Sequence, residues 1–207
     1  MVSRHPESAN LTTAIAVVCH PHPLYGGTMK NKVVYTLVKS FEQLGLDTVC
    51  FNFRGVGQSA GYYDEGRGEV ADLLAVLEWI KQVAPQKSIW LAGFSFGSYI
   101  AACGALAWPT IEKLICVAPP IENFPFKALA SFPCPWWLIQ GDKDEVVSAE
   151  AVFDWEKTLM NRPHLLCLAG ASHFFHGRLV ELRERLVESL SIEFDPSDPG
   201  SNSQTDE

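Results

Sequence analysis

The sequence has no block of lysine and arginine residues and no long uninterrupted apolar run. Its 16 Lys and Arg residues are outnumbered by 24 Asp and Glu residues, and the formal net charge at pH 7 is -8. An acidic chain is a poor partner for nucleic acid or for an anionic membrane surface, so we expect neither partner. Because the N-terminus also lacks a cleavable signal pattern, we expect a cytoplasmic protein.

Cysteine pairs of the C-x-x-C type are absent as well, although the chain contains 6 cysteines. Four of them, Cys19, Cys50, Cys116 and Cys167, lie in short apolar runs that predict buried strands. Such thiols are expected to stay free in a reducing compartment. No cluster of cysteine and histidine has the spacing of metal ligands, and the sequence therefore predicts no metal site.

Two patterns of apolar residues alternate along the chain, one typical of buried strands and the other typical of helices. Short, nearly continuous apolar runs predict six strands that are covered on both faces. These runs cover residues 13–19, 47–53, 87–92, 112–118, 135–140 and 164–169. Strands of this kind are typical of a parallel sheet.

Helical spacing of apolar residues fills the intervals between the runs. The predicted helices cover residues 29–45, 67–83, 98–108, 149–160 and 177–190. Strands that alternate with helices predict an α/β fold, with a doubly wound, mostly parallel sheet and helices on both faces. We assign this single domain to residues 11–192 and expect the polar, acidic segment 193–207 to be a disordered tail.

One junction between a predicted strand and a helix reads GFSFGSY, residues 93–99. A serine at such a tight turn projects its hydroxyl at the carboxyl edge of the sheet. Gly93 and Gly97 would have no Cβ to clash, and the helix N-terminus behind Ser95 would favour a developing negative charge. A plain turn with a small polar cap explains the same residues, so the turn alone leaves the role of Ser95 open.

A serine hydroxyl becomes a strong nucleophile when a base accepts its proton and a carboxylate orients that base. Two later strand ends supply both residue types in the order expected for a doubly wound sheet, in GDKDEVV and GASHFFHG. Asp144 is the candidate acid, with Asp142 and Glu145 as alternatives. His173 is the candidate base, with His176 as the alternative.

An acyl-transfer site also needs donors for an oxyanion, and one of them should be the backbone N–H of Phe96. The other should come from the loop CHPHPLYGGTM after the first strand, in which the prolines have no N–H to donate. Leu24 is the candidate by comparison with loops that read His-Gly-x, with His22 and Tyr25 as alternatives. The side chains of His20 and His22 are expected to shape this loop through hydrogen bonds.

Five stretches, HPHPLYGGTM, FNFRGVGQSAG, GFSFGSY, GDKDEVV and GASHFF, together resemble the α/β-hydrolase superfamily over residues 13–190. The first stretch resembles the small, lid-poor bacterial hydrolases of this superfamily. The resemblance implies that Ser95 is the nucleophile, Asp144 the acid and His173 the base. It also implies that Arg54 holds the RGVGQS loop near the site.

Two departures from the family pattern concern the edges of the fold. Only about a dozen residues precede the first predicted parallel strand, so the antiparallel pair that relatives carry there is expected to be missing or reduced. No cap domain is inserted between Val117 and Trp136. The short segment between them is rich in proline and phenylalanine and could form only a small lid or an apolar rim.

The leading hypothesis is a serine hydrolase that cleaves carboxylic esters or thioesters of a small-molecule acyl substrate and requires no cofactor. An acyltransferase, a peptidase or a non-catalytic binding protein on the same fold are the alternatives. The oligomeric state is not indicated. An apolar acyl group is suggested by aromatic residues expected near the rim, although most of them could equally belong to the core. These residues are Phe124, Phe126, Phe132, Trp136 and Trp137.

Overall fold

The computed structural model describes residues 2–3, 13–129 and 131–192. The predicted tail at 193–207 and the first two residues of the predicted domain lie outside the described residues. Within these described ranges, seven strands form one sheet. They are β1 (Val2–Ser3), β2 (Ala14–Cys19), β3 (Asp47–Cys50), β4 (Ser88–Phe94), β5 (Ile111–Val117), β6 (Trp136–Gly141) and β7 (His164–Leu168).

The strands lie in the order β1-β3-β2-β4-β5-β6-β7. From β3 to β7 every neighbouring pair is parallel, which confirms the six predicted strands and the predicted fold class. Only β1 is antiparallel among the described strands, and it forms the edge of the sheet beside β3. The sequence pattern did not predict β1, because a strand of two residues is too short to show any alternation.

The described residues form five α-helices, as the apolar spacing predicted. They are α1 (Lys32–Gln43), α2 (Arg67–Val83), α3 (Phe96–Ala107), α4 (Ala149–Lys157) and α5 (Leu179–Ile192). Helices α1 to α4 each connect two parallel strands, and α5 follows β7. None of the helices in the described part of the chain is long and apolar enough to cross a membrane.

Alternate residues of the central strands belong to two separate cores, one on each face of the sheet. Leu91 of β4 packs with Leu73 and Leu77 of α2 on one face. Its neighbour Trp90 packs with Phe41 of α1 on the other face. This period of two explains why the strands read as nearly continuous apolar runs, since both faces are covered by helices.

All six cysteines are free. Cys19, Cys50 and Cys116 are buried in strands, as predicted, whereas Cys167 is only partly buried. Cys167 lies in β7, which is the last strand of the sheet, and an edge strand has less cover than a central one. Burial raises the pKa of Cys50 to about 12, so this thiol stays protonated at neutral pH.

The loop that follows β3 is held against α2 by an ion pair. The guanidinium of Arg54 donates to the Asp72 carboxylate, with Nη2 at 2.8 Å from Oδ1, and the Arg54 backbone N–H donates to Oδ2 at 2.9 Å. This contact is the loop-holding role expected for Arg54. Between β5 and β6, the described residues 118–129 and 131–135 contain one short 3₁₀ turn (Phe126–Ala128) and no further helix or strand.

Candidate active site

Ser95 stands at the turn between β4 and α3, at the carboxyl edge of the sheet. Its backbone has φ 53° and ψ -122°. Residues other than glycine rarely adopt this conformation, which costs about 1–3 kcal/mol. The Ser95 N–H donates to the carbonyl of Val117 at 2.8 Å. Ser98 donates from both its N–H and its hydroxyl to the Ser95 carbonyl, at 2.8 and 2.6 Å. These hydrogen bonds hold the strained turn in place.

The two glycines of the turn allow it to pack against its neighbours. A Cβ on Gly93 would lie 2.1 Å from the carbonyl oxygen of Gly97. A Cβ on Gly97 would lie 2.3 Å from the carbonyl oxygen of Cys19 and 2.5 Å from that of His20. Only glycine therefore fits at either position, and the turn lies directly against the end of β2.

His173 links the serine to a carboxylate. Its Nε2 is 3.1 Å from Oγ of Ser95, and its Nδ1 is 2.8 Å from Oδ2 of Asp144. Because the ionised carboxylate can only accept, Nδ1 carries the proton of the neutral ring and Nε2 accepts from the serine hydroxyl. His173 lies in the loop after β7 and is almost completely buried.

The Asp144 side chain is fully enclosed and accepts four hydrogen bonds. Oδ1 accepts from the N–H groups of Val146 at 2.9 Å and Val147 at 2.7 Å, while Oδ2 accepts from Nε2 of Gln140 at 3.0 Å and from His173. Burial alone would raise the pKa of Asp144. The donors from His173, Val147 and Val146 outweigh burial, and the pKa lies below its ordinary value.

The alternative acids and the alternative base make other contacts. Asp142 accepts from the Gly170 N–H at 2.5 Å, and Glu145 accepts from the backbone N–H of His173 at 3.0 Å, away from the ring. His176 is exposed, and its ring lies near Phe174. Of the predicted catalytic residues, the structure thus brings Ser95, His173 and Asp144 into one hydrogen-bonded chain.

His20 has the structural role that the sequence predicted. It is buried, its Nε2 accepts from the Phe53 N–H at 3.1 Å, and its Nδ1 donates to the Pro21 carbonyl at 2.6 Å. Burial lowers the pKa of His20 to about 4, although the bond to Pro21 acts in the opposite direction. The ring is therefore neutral at pH 7 and joins the loops that follow β2 and β3.

Leu24, the predicted second oxyanion donor in the loop after β2, already has an acceptor for its N–H. The Leu24 N–H donates to Nδ1 of His22 at 3.2 Å, and the Tyr25 N–H donates to the carbonyl of His22 at 3.2 Å. Both groups are engaged in the short 3₁₀ turn Pro23–Tyr25. By contrast, the N–H groups of His22 and Phe96 donate no hydrogen bond to any described residue. His22 is thus the alternative whose N–H is free.

Aromatic rings that follow the carboxyl ends of four strands meet beside the serine. We call this group the aromatic cluster, and it consists of His22, Tyr25, Tyr63, Phe96 and Phe124. The His22 ring is at its centre, with its centroid 4.8 Å from that of Tyr25, 4.7 Å from Tyr63, 5.0 Å from Phe96 and 6.2 Å from Phe124. This cluster was not predicted from the sequence. The sequence shows only that each of its residues follows shortly after the end of a predicted strand.

Four of the five aromatic residues expected at the rim belong to the core instead. Phe126, Phe132, Trp136 and Trp137 are buried. Both tryptophans lie in β6, whose two faces are covered, and Phe132 packs on Trp136 with ring centroids 4.9 Å apart. Only Phe124 is partly exposed, and it contacts Phe96 in the aromatic cluster.

Within residues 2–3, 13–129 and 131–192, no group of three or more His, Cys, Asp and Glu side chains is arranged to hold a metal ion. The side chains that meet at Ser95 have a chemistry of their own. A hydroxyl, a neutral imidazole and an ionised carboxylate in this order can move a proton away from the hydroxyl.

Comparisons with known proteins agree with this fold. A family model described as alpha/beta hydrolase fold matches residues 19–133. An uncharacterized protein of Rickettsia prowazekii is 38% identical over 196 residues, which are 90% of this chain and 82% of that protein.

Two solved structures are similar over most of their length. An alpha-beta serine hydrolase homologue from Coxiella burnetii has 50% identity and a TM-score of 0.88, with 92% of this chain and 90% of that chain covered. A serine hydrolase without lid from Xanthomonas campestris has 40% identity and a TM-score of 0.87, with 96% and 89% covered.

Proposed function

The chain belongs to the α/β-hydrolase family, and from this we propose that it is a serine hydrolase that cleaves carboxylic esters or thioesters through Ser95, His173 and Asp144. The observation that carries the proposal is the unbroken hydrogen-bonded chain from the Ser95 hydroxyl through the His173 ring to the Asp144 carboxylate. A binding protein on this fold would have no need of that alignment.

In the first step, Oγ of Ser95 attacks the carbonyl carbon of the substrate while Nε2 of His173 accepts the hydroxyl proton. The ring then carries a positive charge. The buried Asp144 carboxylate stabilises this imidazolium through the bond to Nδ1. The depressed pKa of Asp144 supports this role, because the carboxylate must stay ionised while the ring is charged.

The carbonyl oxygen becomes an oxyanion in this step. We assign its donors to the backbone N–H groups of Phe96 and His22, which have no other acceptor among the described residues. Phe96 is the first residue of α3, and the N-terminus of a helix favours negative charge. Loss of one such donor typically costs about 10²–10³-fold in turnover.

The intermediate then collapses. His173 gives its proton to the leaving oxygen or sulfur, the bond to the leaving group breaks, and the acyl group remains on Ser95. A water molecule activated by His173 attacks this acyl-enzyme, and the acid is released. The partial exposure of Ser95 and the short segment between β5 and β6 are consistent with access by small acyl substrates and by water.

Labelling with a fluorophosphonate tests whether Ser95 is activated. The intact mass and the mapped peptide of the labelled protein should show one adduct on Ser95, and the Ser95→Ala variant should show none. Short-chain esters and acyl thioesters would then be compared as substrates. A folded protein that forms no adduct would contradict the proposal and favour a non-catalytic binding protein.

A further inference from the structure

The two sides of Ser95 are built from different strands. Ser95 follows β4, which lies between β2 and β5 in the sheet. His173 follows β7 and Asp144 follows β6, so both come from strands on one side of β4. His22 and Tyr25 follow β2, and Tyr63 follows β3, on the other side.

This division separates the two halves of a substrate, provided that the proposed function holds. His173 must reach the leaving group to protonate it, so the leaving group belongs on the side of β6 and β7. Of the oxyanion donors proposed above, Phe96 directly follows Ser95, and His22 follows β2 on the other side. The acyl group therefore extends towards β2 and β3, where His22, Tyr25 and Tyr63 of the aromatic cluster lie.

The aromatic cluster has a buried base and exposed walls. Phe96 is buried, whereas His22, Tyr63 and Phe124 are partly exposed. Ring centroids 4.7–5.0 Å apart around His22 are within the range of favourable aromatic pairs. The exposed rings offer a ligand an aromatic surface beside Ser95.

Tyr25 is the most exposed member of the aromatic cluster, with 87% of its surface accessible. Its ring touches that of His22 and contributes nothing to either core. A large ring at this position adds apolar surface beside the site without stabilising the fold. Tyr25 is therefore available to a ligand and can be replaced without disturbing either core.

Burial favours the neutral form of two rings in the aromatic cluster. It lowers the pKa of His22, and the Glu69 carboxylate offsets only part of this effect. Burial likewise raises the pKa of Tyr63, which keeps the phenol protonated. A neutral aromatic group fits such a surface better than a charged one.

We propose that the aromatic cluster is the acyl-binding surface and that the enzyme prefers esters or thioesters of aromatic carboxylic acids to those of aliphatic acids of the same size. The flat ring of the acyl group packs on the exposed surface of Tyr25 and His22, with Phe124 and Tyr63 nearby. The leaving group lies near Phe174, next to His173.

Ethyl esters test this preference, because their leaving group carries no ring. We would measure kcat/KM for ethyl phenylacetate, ethyl cyclohexylacetate and ethyl acetate by quantifying the released acid. Phenyl and cyclohexyl rings are similar in size and differ in flatness and π-character. The phenylacetate should react about 3- to 10-fold faster than the cyclohexylacetate, the range expected for one aromatic contact.

The variant Tyr25→Ser should reduce this ratio to about 1–2, chiefly by lowering kcat/KM for ethyl phenylacetate. Tyr62→Ser is the matched control, because Tyr62 is 89% exposed and does not belong to the aromatic cluster. It should retain the wild-type ratio.

Equal rates for the two ring-bearing esters, with ethyl acetate hydrolysed, would overturn the preference and leave the proposed function standing. A ratio that persists in Tyr25→Ser would also overturn it, since the selecting surface would lie elsewhere. If no ester or thioester is hydrolysed and Ser95 forms no fluorophosphonate adduct, the proposed function and this inference fail together.

Discussion

Nε2 of His173 lies 3.1 Å from Oγ of Ser95, although 78 positions separate the two residues in the chain. The contact depends on the parallel sheet, which brings the carboxyl ends of β4 and β7 to one edge. Buried on the far side of the ring, Asp144 keeps the proton on Nδ1. The predictions below follow from this arrangement and from the packing around it.

Asp144→Asn should lower kcat for a short-chain ester by about 10⁴-fold, because the amide favours the wrong tautomer of His173. Asp142→Asn is the matched control. Its carboxylate accepts from the Gly170 N–H and does not contact the ring, so most activity should remain. Steady-state kinetics of both variants would check this. An inactive Asp142→Asn enzyme beside an active Asp144→Asn enzyme would reverse the assignment of the acid.

His173→Ala should lower kcat by several orders of magnitude, about 10⁴-fold or more, because no other group accepts the proton of Ser95. His176→Ala should retain most activity, since the His176 ring is exposed and lies beside Phe174. Turnover of one ester by both variants, with circular dichroism as a check of folding, would compare them. A greater loss in His176→Ala would contradict the assignment of the base.

Gly97→Ala should destabilise the protein by about 3 kcal/mol and reduce activity, because the new Cβ would overlap the carbonyl oxygens of Cys19 and His20. Gly26→Ala is a useful comparison. Gly26 has φ 76° but no atom within 4 Å of an added Cβ, so this variant should lose about 1–2 kcal/mol through backbone strain alone. Urea unfolding of the two variants measures the difference. Equal losses would show that the close packing around Gly97 can relax.

The free energy of unfolding should fall as the pH decreases from 6.5 to 4, in part because of His20. Its pKa is lowered to about 4 in the folded state, so the unfolded chain binds the proton first and is favoured as the pH drops. Above the pKa that His20 has in the unfolded chain, the neutral ring makes its full contribution to the free energy of unfolding, about 3 kcal/mol. This contribution is lost as the pH falls towards the folded pKa.

Urea unfolding across this pH range would measure the effect, with an NMR titration of the His20 ring to locate its pKa. His20→Gln should show a shallower dependence on pH, while His176→Gln, at an exposed position, should follow the wild type. A wild-type pKa for His20 close to 6.5 would contradict the prediction.

Several features could be predicted because they depend on local sequence. The apolar periods placed all six parallel strands and five helices within a few residues, and the bounds of α2 were predicted without error. The order of Ser95, Asp144 and His173 along the chain matched the order of strand ends in a doubly wound sheet. The pairing of these residues with their hydrogen-bond partners then followed from the fold.

Other features could not be predicted, because they depend on contacts between distant segments. One of them is which of three nearby N–H groups stays free, since only the three-dimensional path of the loop shows that the Leu24 N–H donates to His22. Trp136 and Trp137 were expected at the rim but lie in the core. A tryptophan has the same apolar character in either place, and the sequence does not show that both faces of β6 are covered.

The sequence by itself determined the fold class, the elements and the residues that can carry the chemistry, because apolar periodicity and the residues at strand ends act over short distances. Only the tertiary structure decided which N–H groups stay free, which aromatic rings reach solvent and which rings meet beside Ser95. These properties are set by the order of strands in the sheet and by distances of a few tenths of an ångström. Neither is encoded in any local stretch of the chain.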